Sequence, residues 1–259
     1  MTRAPATQAA AAQALAWTAT ALPEGWAPAH AVDVGSGTGA TATALLDRWP
    51  AAALTCLEPD AAARALGQAA VPQAEWRAGD LRSAVVPPAD LVTAAYCLDE
   101  LGRADVDAAV DRLWAATREV LLIIEPGTPA GFALIREIRS RLIAAGATIA
   151  APCPHDDACP MAGGDWCHSA VRVVRSAQHR SAKEGVLGHE DEKLAYVAAS
   201  RLPVTRPVAR VLRHPRYATK LVTLRTCDVD GALHDVKVPK STGEAYKRAR
   251  AVKWGDAWS

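Results

Sequence analysis

The chain has 259 residues, half of them apolar, and its 29 basic and 28 acidic side chains leave a net charge of +1. That length suits one large domain or one domain with an appended module, and no apolar run reaches the ~18–20 residues of a membrane span, which excludes a membrane partner of that kind. The near-neutral total hides an asymmetry: residues 1–150 hold 11 basic and 16 acidic side chains, residues 151–259 hold 18 and 12, and every lysine lies in the second part.

Residues 7–22 have strong helix propensity and end at Pro23 and Gly25. Strand and helix signals then alternate. Residues 31–34 run apolar into a glycine turn, 40–49 read as a helix closed by Pro50, 54–58 as a strand, 60–70 as a helix and 74–78 as a strand. Residues 91–96 form a buried-type strand, 104–118 a helix, 120–125 a continuous apolar strand, and 130–145 a helix stopped by Gly146. Such alternation predicts βαβ units and a parallel sheet. A cysteine loop interrupts the rhythm at 150–169, followed by an expected basic helix over 171–183 and a strand over 193–200. After Pro203 the pattern changes to strands at 209–212, 221–227 and 233–238, the last two joined through Asp228-Val-Asp-Gly-Ala, a hairpin signal. A short basic helix over 244–251 closes the chain. The expected division is an N-terminal helix (1–29), a nucleotide-binding Rossmann-like α/β domain (30–149), a segment of cysteine loop, basic helix and last sheet strand (150–203), and a small basic β-rich appendage (204–259).

Asp33-Val-Gly-Ser-Gly-Thr-Gly39 follows a predicted strand and opens a predicted helix. Glycines let backbone approach a ligand closely, and a helix N-terminus offers free amide donors. The next strand ends in Leu57-Glu58-Pro59, where an acid can accept hydrogen bonds from both ribose hydroxyls of an adenosine ligand. Gly79-Asp80-Leu81 follows the third strand, where an acid or its neighbouring backbone faces the adenine ring. These three features together resemble class I S-adenosylmethionine-dependent methyltransferases. The resemblance puts Asp33, Gly35, Gly37, Gly39, Glu58 and Asp80 at the cofactor positions.

After the fourth strand the Asn/Asp-Pro-Pro-aromatic tetrapeptide of amino-methylating enzymes is missing, and Ala95-Tyr96-Cys97-Leu98-Asp99-Glu100 stands in its place. Cys97 lacks the preceding proline of pyrimidine-C5 enzymes and reads as a core thiol. Asp99 and Glu100 read as an acid/base pair or as a helix cap. Catalytic residues are not identifiable from the sequence.

Cys153, Cys159 and Cys167 sit in a proline- and glycine-broken loop, with Cys227 sixty residues later, while Cys56 falls in a predicted core strand. The N-terminus lacks the pattern of a secretory signal, and the glycine motif begins too early for a transit peptide. A cytoplasmic location is therefore expected, with reduced thiols and no disulfides. Four thiolates converging on a metal centre are the expected arrangement. Zinc sites pair cysteines about two to four residues apart, so the wider spacing here suits an iron–sulfur cluster, while His155 and His168 keep zinc open. The Cys-x3-Cys-x2-Cys pattern of radical enzymes is absent.

Glu125-Pro-Gly-Thr-Pro-Ala-Gly-Phe132, Ala151-Pro-Cys-Pro-His155, Asp165-Trp-Cys-His168, Arg172 to Lys183, Glu190-Asp-Glu-Lys193 and Tyr246-Lys-Arg-Ala-Arg-Ala-Val-Lys-Trp-Gly-Asp256 resemble, in this order, the methyltransferase-like assembly factors of the small ribosomal subunit found in mitochondria and bacteria. The resemblance covers roughly residues 30–256. It implies a [4Fe–4S] cluster on Cys153, Cys159, Cys167 and Cys227, and binding to small-subunit ribosomal RNA during assembly. Whether the protein methylates ribosomal RNA or uses the fold as a docking assembly factor stays open at this point, with the glycine-loop resemblance leaning to an S-adenosylmethionine-dependent methyltransferase. The other reading is a zinc-stabilised S-adenosylmethionine-dependent methyltransferase of a small molecule or protein.

Between Arg201 and Lys253 there are 13 basic residues against 4 acidic ones. A segment this basic meets a polyanion, RNA first. Arg172, Arg175, Arg180 and Lys183 on the predicted helix, then Arg210, Arg213 and Arg216, then Lys247, Arg248 and Lys253, are the expected phosphate contacts. With one Phe and four Tyr, aromatic platforms look few, which favours backbone docking on folded RNA over single-strand stacking. The free protein is expected to be a monomer.

Overall fold

The computed structural model describes residues 4–174 and 189–259. Helix α1 (Ala4–Ala19) leads into strands β1 (His30–Val34), β2 (Ala53–Leu57), β3 (Glu75–Arg77), β4 (Ala89–Ala95) and β5 (Thr117–Pro126). Between them run helices α2 (Ala40–Arg48), α3 (Ala61–Ala70) and α4 (Arg103–Ala116). Helix α5 (Pro129–Ala144) and strands β6 (Thr148–Ala151), β7 (Ser169–Val174) and β8 (His189–Ser200) complete a sheet of order β3-β2-β1-β4-β5-β8-β6. The first five strands are parallel, and β8 runs antiparallel between β5 and β6. The parallel part is the βαβ sheet expected from the alternation of elements, and the strand order with β8 inserted antiparallel is the Rossmann-like methyltransferase form that the glycine-loop resemblance implied.

The central strands read as unbroken apolar runs because both faces of the sheet are covered. Along β5, Val120, Leu122 and Ile124 face the core shared with α1 and α2, while Leu121 and Ile123 face the core shared with α4 and α5. Local signals fix the helix starts. Asp60 caps α3 by accepting from the Ala63 amide at 2.7 Å. Thr128 caps α5 by accepting from the Gly131 amide at 3.1 Å, with Pro129 in the first turn.

Strand β8 carries two partners along one edge. Its C-terminal end pairs with β6 and its N-terminal half with β7, so the chain leaves the sheet after Ala151, makes the cysteine loop, and returns to the same strand at Ser169. The sequence reading put the cysteine loop over 150–169 and so overlooked β6. It also placed a helix over 171–183, whereas residues 169–174 form β7. Regularly spaced arginines mimicked a helix face there, but Val171 and Val173 favour a strand, and Arg172 bonds Asp191 across the ladder. The rest of that predicted helix lies outside the described residues.

A second sheet follows, of order β10-β11-β9-β13, with β12 also on β11. Its strands are β9 (Ala209–Val211), β10 (Arg216–Ala218), β11 (Leu221–Asp228), β12 (Leu233–Pro239) and β13 (Ala257–Trp258). Short β10 and β13 carry too few residues to show a pattern and were not anticipated. Helix α6 (Glu244–Ala251) packs on this sheet through Ala249, over Val222, Leu224 and Val238. Gly255 lies against the Trp17 ring of α1, and that ring stacks on Tyr196 of β8 with centroids 5.7 Å apart. Both ends of the chain therefore meet over the same strand.

Candidate functional site

Strand β1 ends in a turn made by Gly35 (φ 69°), Gly37 (φ 54°) and Gly39 (φ 89°), all in the left-handed region that glycine occupies without strain. The Gly35 and Ser36 amides donate to the Leu57 carbonyl at 2.9 and 3.1 Å, tying the loop to the end of β2. The Gly37 amide donates to Glu58 Oε2 at 2.8 Å, and Glu58 Oε1 accepts from the Asp60 amide at 2.9 Å. Over this loop lies a cavity of about 460 Å³, walled by Gly35, Gly37, Glu58, Asp80, Tyr96 and Cys97 among others. That volume falls in the ~300–1,000 Å³ range of small-molecule sites.

Four of the six expected cofactor residues are on this wall. Asp33 and Gly39 are not. Asp33 is buried behind the loop, where its Oδ1 accepts from Thr93 Oγ1 at 2.6 Å, and burial lifts its carboxyl to about 6 despite that bond. Gly39 precedes α2 and packs near Val71 and Trp76. Asp80 accepts from the Arg82 amide at 2.8 Å, the chief reason its carboxyl sits below its ordinary value.

At the end of β4, the Cys97 thiol is pushed well above its ordinary value, by burial first and by the charge of Glu125 next. A protonated thiol is a poor nucleophile, which agrees with its reading as a core residue. The cap reading of Asp99 and Glu100 does not hold, since Gly102 stands at the N-cap of α4 with no side-chain bond. Glu125, fully buried at the end of β5, accepts from the Leu98 amide at 3.0 Å. Burial, then the neighbouring Asp99, raises it to about 8. Sequence reasoning passed over Glu125 as a functional group; its signal was an acid closing an unbroken apolar strand.

Cys153, Cys159 and Cys167 from the loop and Cys227 from β11 all line one cavity of about 50 Å³. A water needs ~10–15 Å³ on this measure, so the space admits more than solvent filling one gap. All four are free thiols. Burial raises Cys153 and takes Cys227 up to about 12 and Cys167 further still, and for Cys167 and Cys227 the neighbouring cysteines add to the effect. His155 Nε2 lies 3.4 Å from Cys227 Sγ, and burial lowers both His155 and His168, the latter to about 4. Among the described residues, no three of His, Cys, Asp and Glu gather closely enough to hold a single metal ion. The thiols ring a space instead of meeting at a point.

The loop is pinned from several sides. Trp166 Nε1 donates to the Gly127 carbonyl at 2.9 Å, and its ring stacks on His168. Trp254 Nε1 donates to the His168 carbonyl at 2.6 Å. Arg139 Nη2 donates to the His155 carbonyl at 2.7 Å, and Arg210 Nε to the Pro152 carbonyl at 2.9 Å.

Arg210 was expected to contact RNA. It is 5% exposed and bonded inward, so it does not reach a phosphate. Half-buried Arg213 is likewise engaged, with Asp165 and the Trp166 carbonyl. Arg172, Arg216 and Lys247 are exposed and hold surface ion pairs, and Arg248 bonds the Ser259 carbonyl. Arg175, Arg180 and Lys183 lie outside the described residues. Lys253 and its neighbour Arg250, which belongs to the same predicted basic run, have no ion-pair partner among the described residues. Arg250 separates two open grooves. One, of about 620 Å³, is lined by Trp17, Arg172, His214, Tyr217, Lys253 and Trp254 among others; the second, of about 520 Å³, by Lys240, Tyr246 and Lys247. Tyr217 is 61% exposed. Aromatic surface is thus available beside the cations, which the count of Phe and Tyr missed by leaving out eight tryptophans.

The sequence matches the family described as mitochondrial small ribosomal subunit Rsm22 over residues 1–259. It is 30% identical over 190 residues to the human ribosome assembly protein METTL17, mitochondrial, covering 64% of this chain and 39% of that protein. It is 27% identical over 180 residues to the Rsm22-cox11 tandem protein 2, mitochondrial, of Schizosaccharomyces pombe, covering 53% of this chain and 24% of that one. The chain thus spans well under half the length of these relatives. Among solved structures, magnesium protoporphyrin IX methyltransferase from Synechocystis with bound S-adenosylmethionine has a TM-score of 0.47 at 14% identity, over 75% of this chain and 79% of that one. The YcgJ protein from Bacillus subtilis has 0.47 at 12%, over 74% and 98%. These superpositions are loose, and the fold assignment rests on the strand order.

The matches overturn the expected cytoplasmic location, since the family and both relatives are described as mitochondrial. That expectation rested on not finding a leader pattern, and a missing pattern carries no address. With the whole described chain and its flanks inside one family match, the protein belongs to the mitochondrial small ribosomal subunit Rsm22 family.

Proposed function

We propose that this chain is an assembly factor of the small ribosomal subunit that binds S-adenosylmethionine over its glycine loop, holds a [4Fe–4S] cluster on Cys153, Cys159, Cys167 and Cys227, and docks on ribosomal RNA through its basic C-terminal part. The observation that carries the reading is the meeting of four thiols, three from a sheet-edge loop and one from the second sheet, around one cavity. The donor set fits a polynuclear group, because thiolates spread around a space suit several irons better than one ion. The bound cluster would supply a cross-link between the two sheets. The chain's own residues do the rest: His155, Arg139 and Arg210 brace the loop through its carbonyls and through Cys227, and the second sheet is fixed where its cations face outward.

In the cofactor cavity Glu58 offers carboxylate oxygens for ribose hydroxyls while holding the Gly37 amide, and Asp80 borders the adenine side. The tetrapeptide of amino-methylating enzymes is absent from the end of β4, and burial holds the Cys97 thiol well above its ordinary value, which argues against amino-methylation of that type and against Cys97 as a nucleophile. Methyl transfer of another type and a docking role without transfer are both compatible with this site. Charge complementarity supports an RNA path along Arg250, Lys253 and the flanking grooves. We infer the matching division of labour: residues 1–29 as an N-terminal helix, 30–149 for the cofactor, 150–203 for the cysteine loop and closing strands, and 204–259 for the basic appendage.

The test is anaerobic purification with iron, sulfide and zinc assays on one sample, repeated for Cys159→Ser, with RNA binding measured on both. About four irons and four sulfides per chain in the wild type, lost together with RNA affinity in the variant, is the expected result. One zinc without sulfide would return the reading to a zinc-stabilised methyltransferase of a small molecule or protein.

A further inference from the structure

Arg139 of α5 and Arg210 of β9 are 4% and 5% exposed, and both lie on the wall of the four-thiol cavity. Neither has a carboxylate partner among the described residues. Their guanidiniums donate to main-chain carbonyls, Arg139 to His155 and Arg210 to Pro152 and Gly255, and Arg139 also lies against the Cys153 thiol. Arg139 Nε has no hydrogen-bond partner at all among the described residues.

An arginine cannot shed its proton to escape burial, and an unpaired buried charge costs several kcal/mol. Two such cations on one small wall are a heavy burden for a fold unless negative charge arrives there. No aspartate or glutamate lines the cavity. The groups able to supply anions in this space are the four cysteines, which become thiolates when they ligate metal.

We propose that Arg139 and Arg210 are built-in counter-cations for the four-thiolate centre, stabilising its negative charge and setting its reduction potential. This rests on the reading of Cys153, Cys159, Cys167 and Cys227 as cluster ligands. Nearby positive charge favours the more negative, reduced form of a cluster, whose potential responds to net charge, hydrogen bonds to sulfur and exposure. Each arginine also braces a carbonyl beside a ligand: His155 is two residues from Cys153, and Pro152 is its neighbour. Electrostatic and bracing roles make different predictions. A brace stabilises the fold whether or not metal is present. A counter-cation stabilises only the loaded protein and destabilises the empty one.

The experiment compares full-length wild type with Arg139→Met, Arg210→Met and the charge-keeping Arg139→Lys and Arg210→Lys, all purified anaerobically. Iron and sulfide are counted, the midpoint potential is read by redox titration followed by electron paramagnetic resonance, and urea midpoints are measured before and after chelation of the metal. The expected result is a more negative potential in each methionine variant, recovery toward wild type in the lysine variants, and faster loss of iron to a chelator. The emptied methionine variants should unfold at higher urea than the emptied wild type. Should a methionine variant fail to load, this last comparison still decides. Loaded methionine variants with the wild-type potential, or emptied ones less stable than wild type, would overturn the proposal while leaving the cluster intact. Wild-type protein without iron and sulfide would sink the cluster reading itself, and the proposal with it.

Discussion

Gly35→Ala separates two demands that the glycine loop makes on its sequence. At φ 69° an alanine accepts the left-handed backbone at a cost of ~1–2 kcal/mol. Its Cβ would also lie 2.7 Å from Cys97 Cβ and 2.9 Å from Cys97 Sγ, closer than packed atoms tolerate. Relieving such crowding costs ~1–3 kcal/mol. The stiffer unfolded chain returns ~0.4–1 kcal/mol, leaving a net loss of about 1–4.6 kcal/mol. Gly37→Ala makes the control, because φ is 54° there and nothing lies within 4 Å of its added Cβ, so only the backbone strain applies. Urea unfolding with an unchanged slope should therefore place Gly35→Ala about 1–3 kcal/mol below Gly37→Ala. Adding Cys97→Gly to Gly35→Ala removes the crowded Cβ and should recover part of the difference through a coupling of ~0.5–3 kcal/mol. Calorimetry with S-adenosylmethionine should show weaker binding by Gly35→Ala, since the shifted loop carries the Gly37 amide away from Glu58. Equal stability losses in the two single variants would refute the close-approach argument.

Glu125 is neutral in the fold at pH values where the unfolded chain has already ionised it, so stability falls as pH rises from its ordinary 4.5 toward about 8. Glu125→Gln keeps an acceptor for the Leu98 amide without the proton linkage, and should gain up to about 4–5 kcal/mol over wild type near pH 8 and little near pH 4.5. Urea midpoints at both pH values check this, and a wild type as stable at pH 8 as at pH 5 would show that the burial has been misjudged. For the basic grooves, Arg250→Ala with Lys253→Ala should weaken RNA binding and flatten its dependence on salt by ~0.7 per lost phosphate contact. An unchanged salt slope between low and physiological salt would move the RNA elsewhere on the surface.

Most of the sheet was legible because its signals are local. Apolar runs of strand length, glycine and proline stops, and side-chain caps such as Asp60 act within a few residues, and they placed β1, β2, β4 and β5 with their helices. Glu58 and Asp80 were legible for a related reason: each follows a strand at the end where such sheets bind ligands. Among strands of two to four residues, which carry no full period, β3 and β9 were read and β6, β10 and β13 were not, and β7 carried arginines at a misleading spacing.

The fate of the basic residues was not legible at all. Arg210 and Arg216 lie six positions apart with the same chemistry, yet one is sealed against the cysteine loop and the other faces solvent. Burial of a side chain depends on what the rest of the chain lays over it, and no local pattern reports that. The sequence alone determined the alternating fold, the glycine loop with its acids, and the presence of four thiols able to share a centre. Tertiary structure decided that Cys227 reaches the loop cysteines: it pairs with Arg210 across β11 and β9, and Arg210 bonds the Pro152 carbonyl of the cysteine loop. It also decided which cations turn toward the thiols and which toward solvent, since a charge is inward or outward only once the packing around it exists.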